Sequence, residues 1–131
     1  MGCPACGGTE LAFPLPPDCG DYLPGDAPGA AVCTSCLHVA PREAAPDAYP
    51  DFQRVSDAFP RGPEDGARVA VLLFLLGSLV LHREELTALA ERLEADGVDP
   101  LSTLDRLDRD DGLDPHLDLE RRSRQFQQLF L

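Results

Sequence analysis

The stretch Cys3-Pro4-Ala5-Cys6-Gly7-Gly8, answered by Cys33-Thr34-Ser35-Cys36-Leu37-His38-Val39, decides how this chain reads. Each is a C-x2-C unit, able to place two thiolates on one metal through a tight turn whose backbone N–H groups point at sulfur. Four thiolates match tetrahedral Zn2+ at ~2.3 Å per Zn–S bond. Cys3, Cys6, Cys33 and Cys36 are therefore the predicted ligands of one structural zinc ion. The residue after the second Cys favours glycine, because a backbone turning so tightly near sulfur often takes a positive φ. Gly7 meets this in the first unit, whereas Leu37 stands there in the second. The 26 residues between the units exceed the usual spacing of about 15–20, which predicts an inserted longer hairpin or Pro-rich excursion.

Other chemistry on the same cysteines fits less well. Iron in a rubredoxin-like site would use the same four thiolates, but the aromatic residues expected around it are sparse. A thioredoxin-like redox pair sits at a helix N-terminus after a strand, and only two residues precede Cys3. The fifth thiol, Cys19, lies between Asp18 and Gly20 with no adjacent cation to favour a thiolate, and reads as an inert, partly buried side chain. His38 could ligate or hydrogen-bond a sulfur, or sit at the surface.

Outward from the cysteines, residues 1–40 read as loops and short strands around Leu11–Phe13 and Ala30–Val32, a zinc-ribbon module. Its large apolar side chains are few, and a structural zinc contributes ~10–16 kcal/mol in small peptides, enough to stabilise such a module. Residues 41–62 form a Pro-rich connector, in which Phe52, Val55 and Phe59 predict a short helix capped by Asp51 and stopped by Pro60.

Residues 63–131 read as a helical domain. Pro63, Glu64 and Asp65 open a helix, and Leu72, Leu75, Leu79, His82, Leu86, Leu89 and Leu93 alternate spacings of three and four. One apolar helix over residues 64–96, ~45 Å long, follows from that pattern, with Gly77 and Ser78 as its kink point. Val71, Leu73, Phe74, Leu76 and Val80 make its first half apolar all round, so other elements or a second copy of the chain must cover it. His82 on this seam reads as a core histidine or a register device. Asp99-Pro100 opens a helix carrying Leu101, Leu104 and Leu107, and another starts near Asp118 with Leu119, Arg122, Phe126, Leu129 and Phe130. The fold class is α+β: a small N-terminal β zinc ribbon followed by an all-α hairpin or bundle built on the long helix.

The chain has 131 residues and a formal charge of −12, with 23 acids against 11 bases, all of them Arg. The acids are spread along both halves, which fits a protein kept soluble in a salt-rich cytoplasm, where the Debye length shrinks to ~3 Å at 1 M salt. No secretory signal is visible, and the longest apolar run, Val69–Leu81, is short for a membrane span of ~20 residues. The expected location is cytoplasmic.

The CPxCG start with its distant C-x2-C, together with Tyr22-Leu23-Pro24-Gly25, Val55-Ser56-Asp57-Ala58-Phe59 and Val98-Asp99-Pro100-Leu101, resembles an uncharacterised haloarchaeal family of small CPxCG-type zinc-ribbon proteins. The resemblance covers nearly the whole chain and implies Cys3, Cys6, Cys33 and Cys36 as ligands, but it brings no activity with it.

Two complete Cys pairs close a metal's shell, whereas catalytic zinc keeps an open position. No G-x-S-x-G, HExxH, P-loop or Gly-rich dinucleotide motif occurs, and Asp108–Asp114 departs from a calcium loop in the place of Gly112 and in having Leu119 where a Glu is needed. The expectation is a non-catalytic zinc protein that binds a protein partner, a homodimer through the long helix included. A nucleic-acid-associated zinc-ribbon factor is the alternative. Residues 1–40 carry no basic residue, and Arg121, Arg122 and Arg124 adjoin Asp118 and Glu120, so phosphate binding is disfavoured.

Overall fold

A computed structural model describes residues 2–129. Phe130, placed above on the last helix, lies outside the described residues. Strands β1 (Glu10–Pro14), β2 (Gly29–Cys33) and β3 (Val39–Arg42) form an antiparallel sheet in the order β1-β2-β3. Leu11 pairs with Val32, and Val32 in turn with Val39. The first two strands form where the sequence predicts them. The third runs across residue 40, and its Pro41 is tolerated because β3 is an edge strand. Glu10 and Arg42 bridge the two outer strands through an ion pair in which one Arg42 guanidinium nitrogen donates to both Glu10 carboxylate oxygens, at 2.6 and 2.8 Å.

Residues 52–54 form a single 3-10 turn, with the Asp51 carboxylate accepting from the Gln53 N–H. Phe52 stacks on Phe59 and meets Phe13 of β1 edge-on, at centroid distances of 5.7 and 5.3 Å. The Phe52 ring lies directly on the backbone of the next helix at Gly66, where a β-carbon would overlap it.

That helix, α1 (Pro63–Leu75), begins with Pro in its first turn and Glu64 and Asp65 at its positive end. The long helical segment continues to Ala95, but Leu76–His82 is wound as 3-10 turns and Ser78 leaves helical geometry at φ −145°, ψ 61°. The chain then re-enters as α2 (Arg83–Ala95). Arg68 of α1 bonds Asp96, just past α2, at 3.2 Å; in a straight helix those residues would stand about 42 Å apart. The segment therefore folds back on itself as a hairpin, bent at the Gly77–Ser78 point. By length and composition it is apolar enough to cross a membrane, yet 61% of its apolar window is buried within the molecule.

Two further helices follow, α3 (Pro100–Asp108) and α4 (Leu119–Gln128), capped by Asp99 and Asp118 side chains that accept from Leu101 and Ser102 and from Arg121. Most of the buried apolar residues form one continuous core: Phe13, Val32 and Leu37 from the sheet region, Phe52 and Phe59 from the connector, Leu72, Leu86, Leu104 and Phe126 from the helices. The apolar faces of the long segment are thus covered within one chain. Val80 (87% exposed) and Leu81 (77%), at the hairpin bend, are the large hydrophobic side chains left open among the described residues.

Among the described residues, one charged side chain is buried in this frame. Arg68, 3% exposed, bonds Asp18 through two nitrogens, Asp65 at 2.8 Å, Asp96 at 3.2 Å and Glu64 at 3.3 Å. Its five donors satisfy carboxylates from the first loop, from α1 and from the end of α2, so it ties three elements at one point.

Candidate metal centre

The two C-x2-C units form matching turns at one end of the sheet. In the first, which precedes β1, the Cys3 N–H bonds the Gly8 carbonyl at 2.8 Å and the Gly7 N–H bonds the Cys3 carbonyl at 2.7 Å. In the second, which joins β2 to β3, the Cys33 N–H bonds the His38 carbonyl at 2.8 Å and the Leu37 N–H bonds the Cys33 carbonyl at 3.3 Å. Gly7 turns at φ +80° and Leu37 at +64°. Leu37 thus adopts the geometry expected of a glycine, at a cost of roughly 1–2 kcal/mol. Its side chain is 1% exposed and joins the main core; burial of about 1.5–3 kcal/mol outweighs the strain.

The turns bring the four predicted ligands together. Cys3 and Cys36 sulfurs lie 3.7 Å apart, Cys6 and Cys33 sulfurs 3.5 Å, and all four within 4.8 Å of one another. These separations are far longer than a disulfide bond of ~2.05 Å. A tetrahedral ion with metal–sulfur bonds of ~2.3 Å has sulfur–sulfur edges of about 3.8 Å, so the donor set fits a closed four-thiolate site. The structure holds no ion, and the residues alone make this case.

Backbone N–H groups converge on the sulfurs, as stabilised thiolates require. Ala5 donates to Cys3 at 3.3 Å, Gly8 to Cys6 at 3.4 Å, and Ser35 and Cys36 to Cys33 at 3.3 and 3.4 Å; the His38 N–H donates to Cys36. Burial raises the Cys33 thiol, but its two N–H donors outweigh this and lower it to about 7. Burial and neighbouring sulfurs raise Cys36. Such a set releases its protons most readily to a bound cation. Gly8 packs against the sulfurs, where a β-carbon would sit 3.2 Å from Cys33 Sγ and 3.3 Å from Cys6 Sγ.

Cys19 stands apart from the four. It is fully buried in the main core, and burial, with the adjacent Asp18 charge, pushes its thiol up to about 12. His38 is half-buried, and its ring, with Glu10, comes within 4.8 Å of Cys3.

A clasp from the C-terminal half has no sequence signal. The loop before α4 pairs with the second turn: the Asp114 N–H bonds the Ser35 carbonyl at 2.8 Å and the His116 N–H the Cys36 carbonyl at 2.9 Å. The same carbonyl lies 3.1 Å from His116 Nδ1. Asp110, which opens this loop, accepts a 2.6 Å bond from the Ser56 hydroxyl of the connector. Only the fold brings residues about 80 positions apart together, which local patterning does not encode.

Compared with known proteins, residues 2–130 match the model of a family of unknown function, DUF6276. No curated protein and no solved structure matches the chain.

Proposed function

The chain belongs to this family of unknown function, and from its own residues we propose a non-catalytic zinc-binding protein whose structural zinc ribbon supports a helical platform for a protein partner. The observation that carries the reading is the four-sulfur set, with separations of 3.5 and 3.7 Å. Four thiolates fill the tetrahedral preference of Zn2+ and leave no position for a water or substrate. Soft sulfur donors favour zinc over harder divalent ions.

The partner surface is the hairpin bend. Val80 and Leu81 project from it beside an open groove edged by Leu79, Leu129, Arg83 and Arg122. Two arginines flanking apolar surface on a chain of charge −12 suit a protein segment with apolar anchors and acidic flanks. A nucleic-acid role is less well supported, because the metal end has no Arg or Lys through residue 40 and four thiolates on a divalent ion carry a formal charge of about −2, which repels phosphates. The spread of acidic residues supports a salt-rich cytoplasm as the setting.

Metal analysis of the purified chain is expected to give one zinc per molecule, lost in Cys33→Ser and in Cys36→Ser; zinc retained by both variants would contradict the ligand set. A Val80→Glu/Leu81→Glu double variant is expected to keep its zinc and its fold while losing capture of a protein from high-salt lysate. Light scattering of the same pair separates a second copy of the chain from a different partner.

A further inference from the structure

The chain has three histidines, and they come from three separate elements: the second cysteine turn, the hairpin bend and the loop before α4. All three line one cavity of about 240 Å³, whose other walls include Val39, Leu73, Phe74 and Leu117. Among the described residues, no carboxylate, thiol or guanidinium lines it, so imidazole nitrogens are its strong donors.

Their chemistry is that of ligands. The His38 and His116 rings stand with centroids 5.2 Å apart, and two imidazoles bound to one tetrahedral ion at ~2.0–2.1 Å from nitrogen place their centroids about 5 Å apart. His116 Nδ1 lies 3.1 Å from the Cys36 carbonyl, which can only accept, so in neutral His116 the lone pair is on Nε2. A carbonyl fixing the tautomer in this way is the usual support of a metal-ligating histidine. His38 Nδ1 is buried without a hydrogen-bond partner, a desolvated nitrogen that a bound ligand would compensate. The negative net charge attracts cations, and imidazoles select zinc, nickel or copper over calcium or magnesium.

We propose that His38, His82 and His116 form a second metal site, distinct from the four cysteines, for a divalent transition-metal ion. Among the described residues, the donor groups already within 4.8 Å of one another are the four cysteines and Cys3, Glu10 and His38. The three histidines do not stand within that distance of one another, so binding an ion requires their side chains to close on it across the cavity.

The test loads the full zinc-bound chain with Ni2+, removes the excess by gel filtration and counts both metals by mass spectrometry. The expected result is one zinc and one nickel per chain, with nickel retention at least ten-fold lower in His82→Gln and in His116→Gln while zinc stays at one. Wild-type protein without nickel, or nickel kept equally by the variants, overturns the proposal. Should His116→Gln also lose zinc through its contact with Cys36, His82→Gln decides, because His82 belongs to the hairpin bend and no hydrogen bond ties it to a cysteine turn among the described residues. Zinc at one per chain in every arm without nickel leaves the four-cysteine reading standing and sinks this one.

Discussion

The cysteine end of the sheet and its opposite face are held by different forces. Cys3, Cys33 and Cys36 form a small buried cluster of their own, separate from the main core. A few residues away, Leu11, Phe13, Val32, Leu37 and Val39 belong to the core shared with the helices. The cysteine-bearing sheet is therefore not a free-standing module: four thiols gather at one end, where they could hold a metal ion, and apolar burial holds the rest. The contrast teaches how a short sheet with few large side chains stays ordered, by borrowing a helical hairpin on one side and, in the function proposed above, an ion at one end.

The largest effect comes from breaking the metal end. Chelation, or Cys33→Ser, removes a contribution on the order of 10 kcal/mol and opens Cys3, Cys6, Cys33 and Cys36 to alkylation, while Cys19 stays protected and the helical circular dichroism persists. Thiol labelling counted by mass spectrometry checks this. Labelling of Cys19 at the same rate would mean that the two regions unfold together.

Breaking the apolar side comes next. Phe126, fully buried on α4, is expected to cost about 3–5 kcal/mol on truncation to Ala, measured by urea unfolding, with the metal count unchanged. Arg68→Ala strands Asp18, Asp65 and Asp96 around an emptied point; loss of about 3 kcal/mol is expected.

The two cysteine turns sharpen the comparison further. Gly7→Leu introduces left-handed strain at an exposed position and should lower stability by about 1–2 kcal/mol. Leu37→Gly relieves the same strain yet gives up a buried side chain, for a net loss of about 1 kcal/mol. Both variants lose stability, for opposite reasons; a gain in Leu37→Gly would show that the second turn does not depend on the core.

The smallest effect is on pH dependence. Burial raises the Asp18 carboxyl, but the bond to Arg68 and its charge outweigh this and hold it below its ordinary 3.8. An acid lowered in the folded state stabilises above its unfolded value, and that stability is lost as pH falls through the folded one. Asp65 shifts the other way, raised first by burial and then by Asp96, which offsets part of the change. Solvent screening at Asp18 leaves about 0.5–1 kcal/mol. Urea midpoints of the helical signal should fall between pH 5 and 3, and fall less in Asp18→Asn.

Much of this fold was legible from residues whose structural consequences are local. The cysteine spacing announces paired turns. Asp51, Asp99 and Asp118 cap the elements they precede, and Pro63 and Pro100 mark helix starts, because each acts on a backbone group two or three residues away. The fold-back at Leu76–His82 was not legible beyond its location: the leucines keep helical spacing through the bend, so periodicity reads straight on, and only the shared core and the Arg68–Asp96 pair require a hairpin. The clasp of His116 on Cys36 and the gathering of three histidines are equally silent in sequence, since each joins residues whose proximity is a product of topology. Leu37 looked like the weak point of the second turn, and the structure makes it a strong one by burying its side chain.

Hydrogen–deuterium exchange of the full chain, before and after chelation, tests the central claim most directly. A metal-held cysteine end on a burial-held frame predicts that protection is lost at residues 3–10, 33–38 and 114–116 and kept in α1 and α2. Unchanged exchange at the cysteine turns, or loss of protection throughout the chain, would contradict it.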